Sequence, residues 1–209
     1  MVALLAAAVA LAAPDAAALT ASWEGWRTTL DASARYPFRF TADEWARVAR
    51  GDVMKRRERL DGTDRVLGVV WVDAPPDRTW IAIHDPHGQY VDDVVHEELP
   101  GSTESDRILY QRIDLPWPLT PRQWVIRVRN NLGLIAATRG AVWERTWELS
   151  DQRGAAAELP HAVWLPVNEG GWFLVDAAGG TLLGYHVRTA VGGIVPDEAA
   201  LRWSFAAMD

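Results

Sequence analysis

Between Val94 and Arg188 the chain repeats one signal: short stretches rich in valine, isoleucine, tyrosine and tryptophan, parted by turn-forming residues. The stretches read VVHEEL, RILYQRID, QWVIRVRN, VWERTWEL, HAVWLPV, GWFLVD and TLLGYHVR, with separators such as PGSTESD, NEGG and AAGG. Strands this close in sequence pair as antiparallel neighbours. A meander of this length carries an apolar face that cannot be left in water, so the sheet must curl or find a cover. No other feature constrains the fold as much.

The flanking segments supply candidates for that cover. TADEWARVARG predicts a short helix, capped by Thr41, with Glu44 completing a capping box and Gly51 just past its end. DVMKRRERL and RVLGVVWVD, joined by DGTD, predict a hairpin. APPDRTWIAIHD reads as a helix opened by Pro75 or Pro76, and HGQYVDDV as loop or a short helical turn. Near the start, SWEGWRTTLDASARYPFRF reads as a short helix and a loop ending at Tyr36-Pro37. At the end, the chain turns helical after Pro196, with Ala199, Ala200, Trp203 and Ala207 at helical spacing. One closing helix laid into a strongly curved sheet would hide the apolar face, and a deep curve would leave a cavity.

Length and composition narrow the class. With 209 residues, 49% of them hydrophobic, the chain fits one domain with a substantial core. A net charge of −7 argues against a nucleic-acid partner, which needs a basic face. With no cysteine, thiol catalysis, thiolate metal sites and disulfides are excluded, and Lys55 is the only lysine. Twelve tryptophans build either a heavy core or the walls of a wide cavity.

The apolar run Val2–Ala13 is too short to span a bilayer as a helix. It matches the apolar region of a secretory signal, with small residues for cleavage at Ala13 or at Ala16–Ala18, though no Lys or Arg precedes it. The expectation is a signal segment over 1–18 and a single domain over 19–209, exported to the periplasm or secreted by a bacterium. If the segment is an uncleaved alanine-rich helix, the protein is cytoplasmic.

Alternation assigns the strand faces, since residues i and i+2 share one. Trp124, Ile126 and Val128 form one set against Gln123, Arg127 and Arg129. Leu183, Tyr185 and Val187 form another, and Trp172 and Leu174 a third. All three sets are expected to point inward. Trp143, Arg145, Trp147 and Leu149 share a face as well. If it lines a cavity, Arg145 is a buried cation for a ligand carboxylate or phosphate. The simpler reading turns that face outward, with Arg145 stacked between surface tryptophans.

Other chemistry is weaker. His84, His87, Asp92, Asp93 and His96 lie close in sequence, but their spacing matches no metal-ligand frame, and no metal site or cofactor is expected. No Gly-x-Ser-x-Gly elbow occurs. For acid–base work the candidates are Tyr110, Asp114, Arg145 and Tyr185, and no spacing singles out a catalytic pair, so no catalytic residue is assigned.

The ordered set of pieces resembles the START lipid-transfer domains of the helix-grip superfamily, which also holds polyketide cyclases. The matching residues are VDAPPDRTWIAIHD, ILYQRIDLPWPLTPRQWV and GGWFLVDAAGGTLLGYHVRTAVGGIVP, covering roughly Asp52 to Trp203. Two departures stand out: Arg122-Gln123 where the family usually has Arg-Asp, and a short closing helix. The resemblance implies an α+β helix-grip fold, a strongly curved antiparallel sheet around a C-terminal helix with a central hydrophobic cavity. It implies a lipid or other apolar small molecule as ligand, transient membrane contact, and no cofactor. The loop DLPWPLTPRQWV, which also reads as a PxxP docking motif or a rigid connection, becomes one lip of the cavity mouth, with Trp117 at its tip. The expected ligand set is Tyr110, Trp117, Trp124, Ile126, Val128, Arg145, Trp172, Leu174, Leu183, Tyr185 and Val187. Competing readings are a polyketide cyclase or dehydratase working in the same cavity, and a partner-binding module with exposed tryptophans.

Overall fold

The structure is a computed structural model that describes residues 14–33, 38–84 and 94–192, with the side chains of 31–33 and 84 outside that description. The closing helix expected after Pro196, and with it His87, Asp92 and Asp93, lies outside the described residues.

Two helices come first, α1 (Ala16–Ser33) and α2 (Ala42–Ala49). The hairpin β1 (Met54–Leu60) and β2 (Thr63–Val72) follows, then α3 (Pro76–His84). The meander runs β3 (Val94–Glu98), β4 (Asp106–Ile113), β5 (Arg122–Asn130), α4 (Leu132–Ala137), β6 (Val142–Leu149), β7 (Val163–Trp164), β8 (Val167–Ala177) and β9 (Gly180–Ala190). The fold is α+β. One open sheet has the order β1-β2-β9-β8-β6-β5-β4-β3, all antiparallel, and the two-residue β7 adds a parallel pairing to β5.

Local signals explain most of these elements. Thr41 accepts from the Glu44 amide at 3.2 Å while the Glu44 carboxylate accepts from the Thr41 amide at 2.7 Å, the reciprocal cap that starts α2. Asp61 and Gly62 both hold positive φ, 47° and 78°, as a two-residue hairpin turn requires. The edge strand β1 is MKRRERL, whose charges discourage pairing with another sheet.

Three expectations are corrected. α1 is an 18-residue helix rather than a short one, because Leu19, Trp23 and Leu30 are buried along it. HAVWLPV yields only the two residues of β7: residues 150–165 cross one face of the sheet instead of adding a full strand to it. α4, capped by the Asn131 side chain, was not foreseen.

The register divides the sheet into two faces. One carries Met54, Leu67, Val69, Val142, Phe173, Val175 and Leu182, packed with Leu19, Trp23, Phe38, Trp45 and Val48 of the N-terminal helices. Trp23 sits at the centre, 4.9 Å from the Phe40 ring and 5.4 Å from that of Phe173. Gly184 allows Phe173 to lie flat here, since a Cβ on it would come within 1.9 Å of the ring. Farther along the same face, Tyr110, Val125, Leu99 and Ala155 form a second cluster under residues 150–165. This is the covered face.

Candidate functional site

The candidate site is the opposite face. Register pairing places Trp124, Ile126 and Val128 on it from β5, and Arg145 and Trp147 from β6. β8 adds Trp172 and Leu174, and β9 adds Leu183, Tyr185 and Val187, because Trp172 pairs with Tyr185 and Leu174 with Leu183. Every strand residue of the expected ligand set except Tyr110 therefore shares one face, called here the Trp172 face.

Its aromatic side chains are in contact. The Trp172 and Tyr185 rings are 4.5 Å apart and those of Trp147 and Tyr185 5.8 Å. Gly170 makes room for Trp147, as a Cβ there would fall 2.4 Å from the indole. Against the end of the face, α3 brings Trp80 to within 5.0 Å of Trp143. Thr79, also of α3, reaches the Thr181 hydroxyl at 3.5 Å.

Polar groups interrupt this apolar surface at defined points. Trp124 donates to the Gln111 side-chain oxygen at 2.7 Å, and the Gln111 amide meets His96 Nδ1 at 3.0 Å. Burial lowers the His96 pKa, which favours the neutral ring that can accept this bond. Trp147 donates to Asn168 at 3.1 Å. Tyr185 makes no hydrogen bond among the described residues, and burial raises its pKa. Arg145 and Tyr185 are both register partners of Trp172, one on β6 and the other on β9. Arg145 shares a face with Ile126 and Leu174. Among the described residues no group of three histidine or carboxylate side chains could hold a metal ion.

Tyr110 lies elsewhere. It is fully buried on the covered face, where its hydroxyl donates to Gln123 or to the Ala157 carbonyl, at 3.0 and 2.9 Å. Burial raises its pKa. It packs the segment 150–165 rather than facing the site.

No family model matches the chain, and no curated protein matches it significantly by sequence. Solved structures do resemble it. The human StAR-related lipid transfer protein 5 aligns over 92% of this chain and 91% of its own, with a TM-score of 0.58 and 13% identity. Human STARD10 aligns over 85% of this chain and 71% of its own, with a TM-score of 0.59 and 11% identity. A STAR-related lipid transfer protein from Xanthomonas axonopodis aligns over 71% of this chain and 82% of its own, with a TM-score of 0.55 and 22% identity. The fold is the START-like helix-grip fold.

Within this START-like frame the proline loop joins β4 to β5. Trp117 is 93% exposed at its tip, in a cis peptide with Pro118, and Leu119 beside it is also exposed. Arg122 follows, buried at the start of β5. The departure at Gln123 has a structural role. The Gln123 side chain, 1% exposed, accepts from Leu159 N at 3.1 Å and donates to Leu159 O at 2.9 Å. A neutral amide, which both donates and accepts, stitches β5 to the covering segment where an aspartate could only accept.

Sequence reasoning did not find that segment or its fastenings. Glu97 accepts from the amides of Ala156 and Ala157 at 2.9 and 3.0 Å, and Arg153 stacks on Trp164 at 3.7 Å.

Proposed function

We propose that this START-like domain binds a lipid or another apolar small molecule against the Trp172 face and carries it between surfaces. The observation that supports the reading is the asymmetry of the sheet. One face is filled by α1, α2 and residues 150–165. The other gathers tryptophan, tyrosine and aliphatic side chains from β5, β6, β8 and β9, with polar groups at a few points. An apolar wall with sparse, placed polar groups suits a ligand held by burial, at roughly 25 cal/mol per Å2, and oriented by one or two contacts. Arg145 and Tyr185, on either side of Trp172, are the pair that would orient the ligand's polar end. The solved structures above, two of them named as lipid transfer proteins, add support through the shared fold.

Trp117 is the point of membrane contact in this reading, because an exposed tryptophan favours the lipid–water interface. Export is part of the same proposal. Since Leu19 is buried within α1, cleavage near Ala13 leaves the helix whole, whereas cleavage after Ala18 would remove its first turn. N-terminal sequencing of the mature protein distinguishes the two.

Fluorescent-lipid uptake tests the binding itself. Vesicles carrying self-quenched NBD-labelled phosphatidylcholine or NBD-labelled fatty acid should brighten when the protein extracts the probe. A protein that leaves both vesicle types quenched at micromolar concentration would count against the reading.

A further inference from the structure

Arg122 is 3% exposed, and among the described residues no carboxylate pairs with it. Among the described residues its guanidinium is held by main-chain carbonyls alone. Nε donates to Val191 O at 2.8 Å and Nη2 to Gly192 O at 3.1 Å, while Nη1 donates to Thr120 O. These acceptors belong to two segments far apart in sequence: the proline loop between β4 and β5, and the chain leaving β9. The backbone that presents both Val191 and Gly192 carbonyls to one cation passes through φ +65° at Gly192, where a Cβ would also press on Pro166 at 3.3 Å.

A buried cation is tolerated only while its donors are satisfied. Separating either segment from Arg122 strips bonds from a buried charge that no carboxylate among the described residues pairs with, so loss of one side weakens the hold on the other. We propose that Arg122 is a clasp that makes the proline loop and the end of β9 open together, and that it sets how fast ligand reaches and leaves the Trp172 face rather than how tightly it is held. The coupling stands on the geometry alone; its effect on ligand rests on the binding reading above.

Hydrogen–deuterium exchange of Arg122→Gln and Arg122→Lys tests the coupling. In Arg122→Gln, amides of 115–121 and 189–192 should exchange at least tenfold faster, both together, while those of 42–49 stay unchanged. Arg122→Lys, which keeps the charge but not the fork, should fall between. Stopped-flow mixing with NBD-labelled fatty acid reads the second part: association and release both rise about tenfold and Kd stays within twofold. Loosening of one segment alone, or a Kd that shifts as far as the rates, overturns the clasp. If the wild type takes up no probe, the binding reading fails, and the exchange result still decides the coupling. Should Arg122→Gln not fold, native-state exchange of the wild type in dilute urea replaces it: a common opening of both segments is expected, and separate openings overturn the proposal.

Discussion

Trp172 and Tyr185 are register partners across β8 and β9, with their rings 4.5 Å apart on the same face as Ile126 and Leu174. That face is where ligand burial should be felt. Trp124→Ala and Tyr185→Ala each remove a large apolar surface, about 1.5–3 kcal/mol of burial, so probe uptake should weaken tenfold or more. Arg127→Ala and Arg129→Ala touch exposed ion pairs on the other face and should stay within a factor of two. Fluorescence titration of the four variants decides it, and equal effects from all four would refute the assignment of faces.

Trp117 contributes little to the folded state, being almost wholly exposed. Trp117→Ala should leave the thermal midpoint and the affinity for a soluble probe unchanged, yet slow transfer from vesicles several-fold. An unchanged transfer rate would reduce Trp117 to a turn residue.

Gln123 fastens the covering segment. Gln123→Ala leaves the Leu159 amide and carbonyl without their side-chain partner on β5, at a cost of about 2 kcal/mol. Urea unfolding should show that loss, with faster proteolysis within 150–165 and unaltered probe affinity. Weakened binding with intact stability would mean that Gln123 belongs to the site instead.

His186 gives the fold a pH dependence. It is buried 5.0 Å from the Phe38 ring. Burial, assisted by the nearby Arg65 cation, pushes its pKa down to about 3. The unfolded chain takes up the proton near pH 6.5, so stability is complete above that and falls as pH drops from 6.5 toward 3, by at most about 5 kcal/mol. Glu58, Asp64, Glu98 and Asp106 have lowered pKa values and lose their contributions only below the ordinary carboxylate range. Among the described residues with shifted pKa values, those that act between 6.5 and 4.5 are His186 and, by a similar burial effect, His96. Urea midpoints at pH 7 and pH 5 should converge in His186→Gln relative to the wild type; an identical drop in both would contradict the assignment.

These features differ in how openly the sequence displays them. The sidedness of β5 and β9 was legible because polar and apolar residues alternate there, and a strand's period of two translates directly into faces. The α2 cap was legible because Thr41 and Glu44 carry it at fixed spacing. Tyr110 was misplaced because β4 carries apolar residues on both faces, Ile108 and Tyr110 on one and Leu109 and Ile113 on the other, so alternation does not tell which face residues 150–165 cover. The cross-strand neighbour of Arg145 was not legible, because only the pairing of β6 with β8 places it beside Trp172. The covering segment 150–165 was invisible, since side-chain bonds to Glu97 and Gln123 hold it, not any periodic pattern of its own.

Native mass spectrometry of the protein purified from its own cells addresses the central claim most directly. The account predicts a species heavier than the bare chain by the mass of a bound lipid, lost on gentle activation and reduced in Tyr185→Ala. A bare chain alone, in a preparation that also takes up neither NBD-labelled lipid, would contradict it.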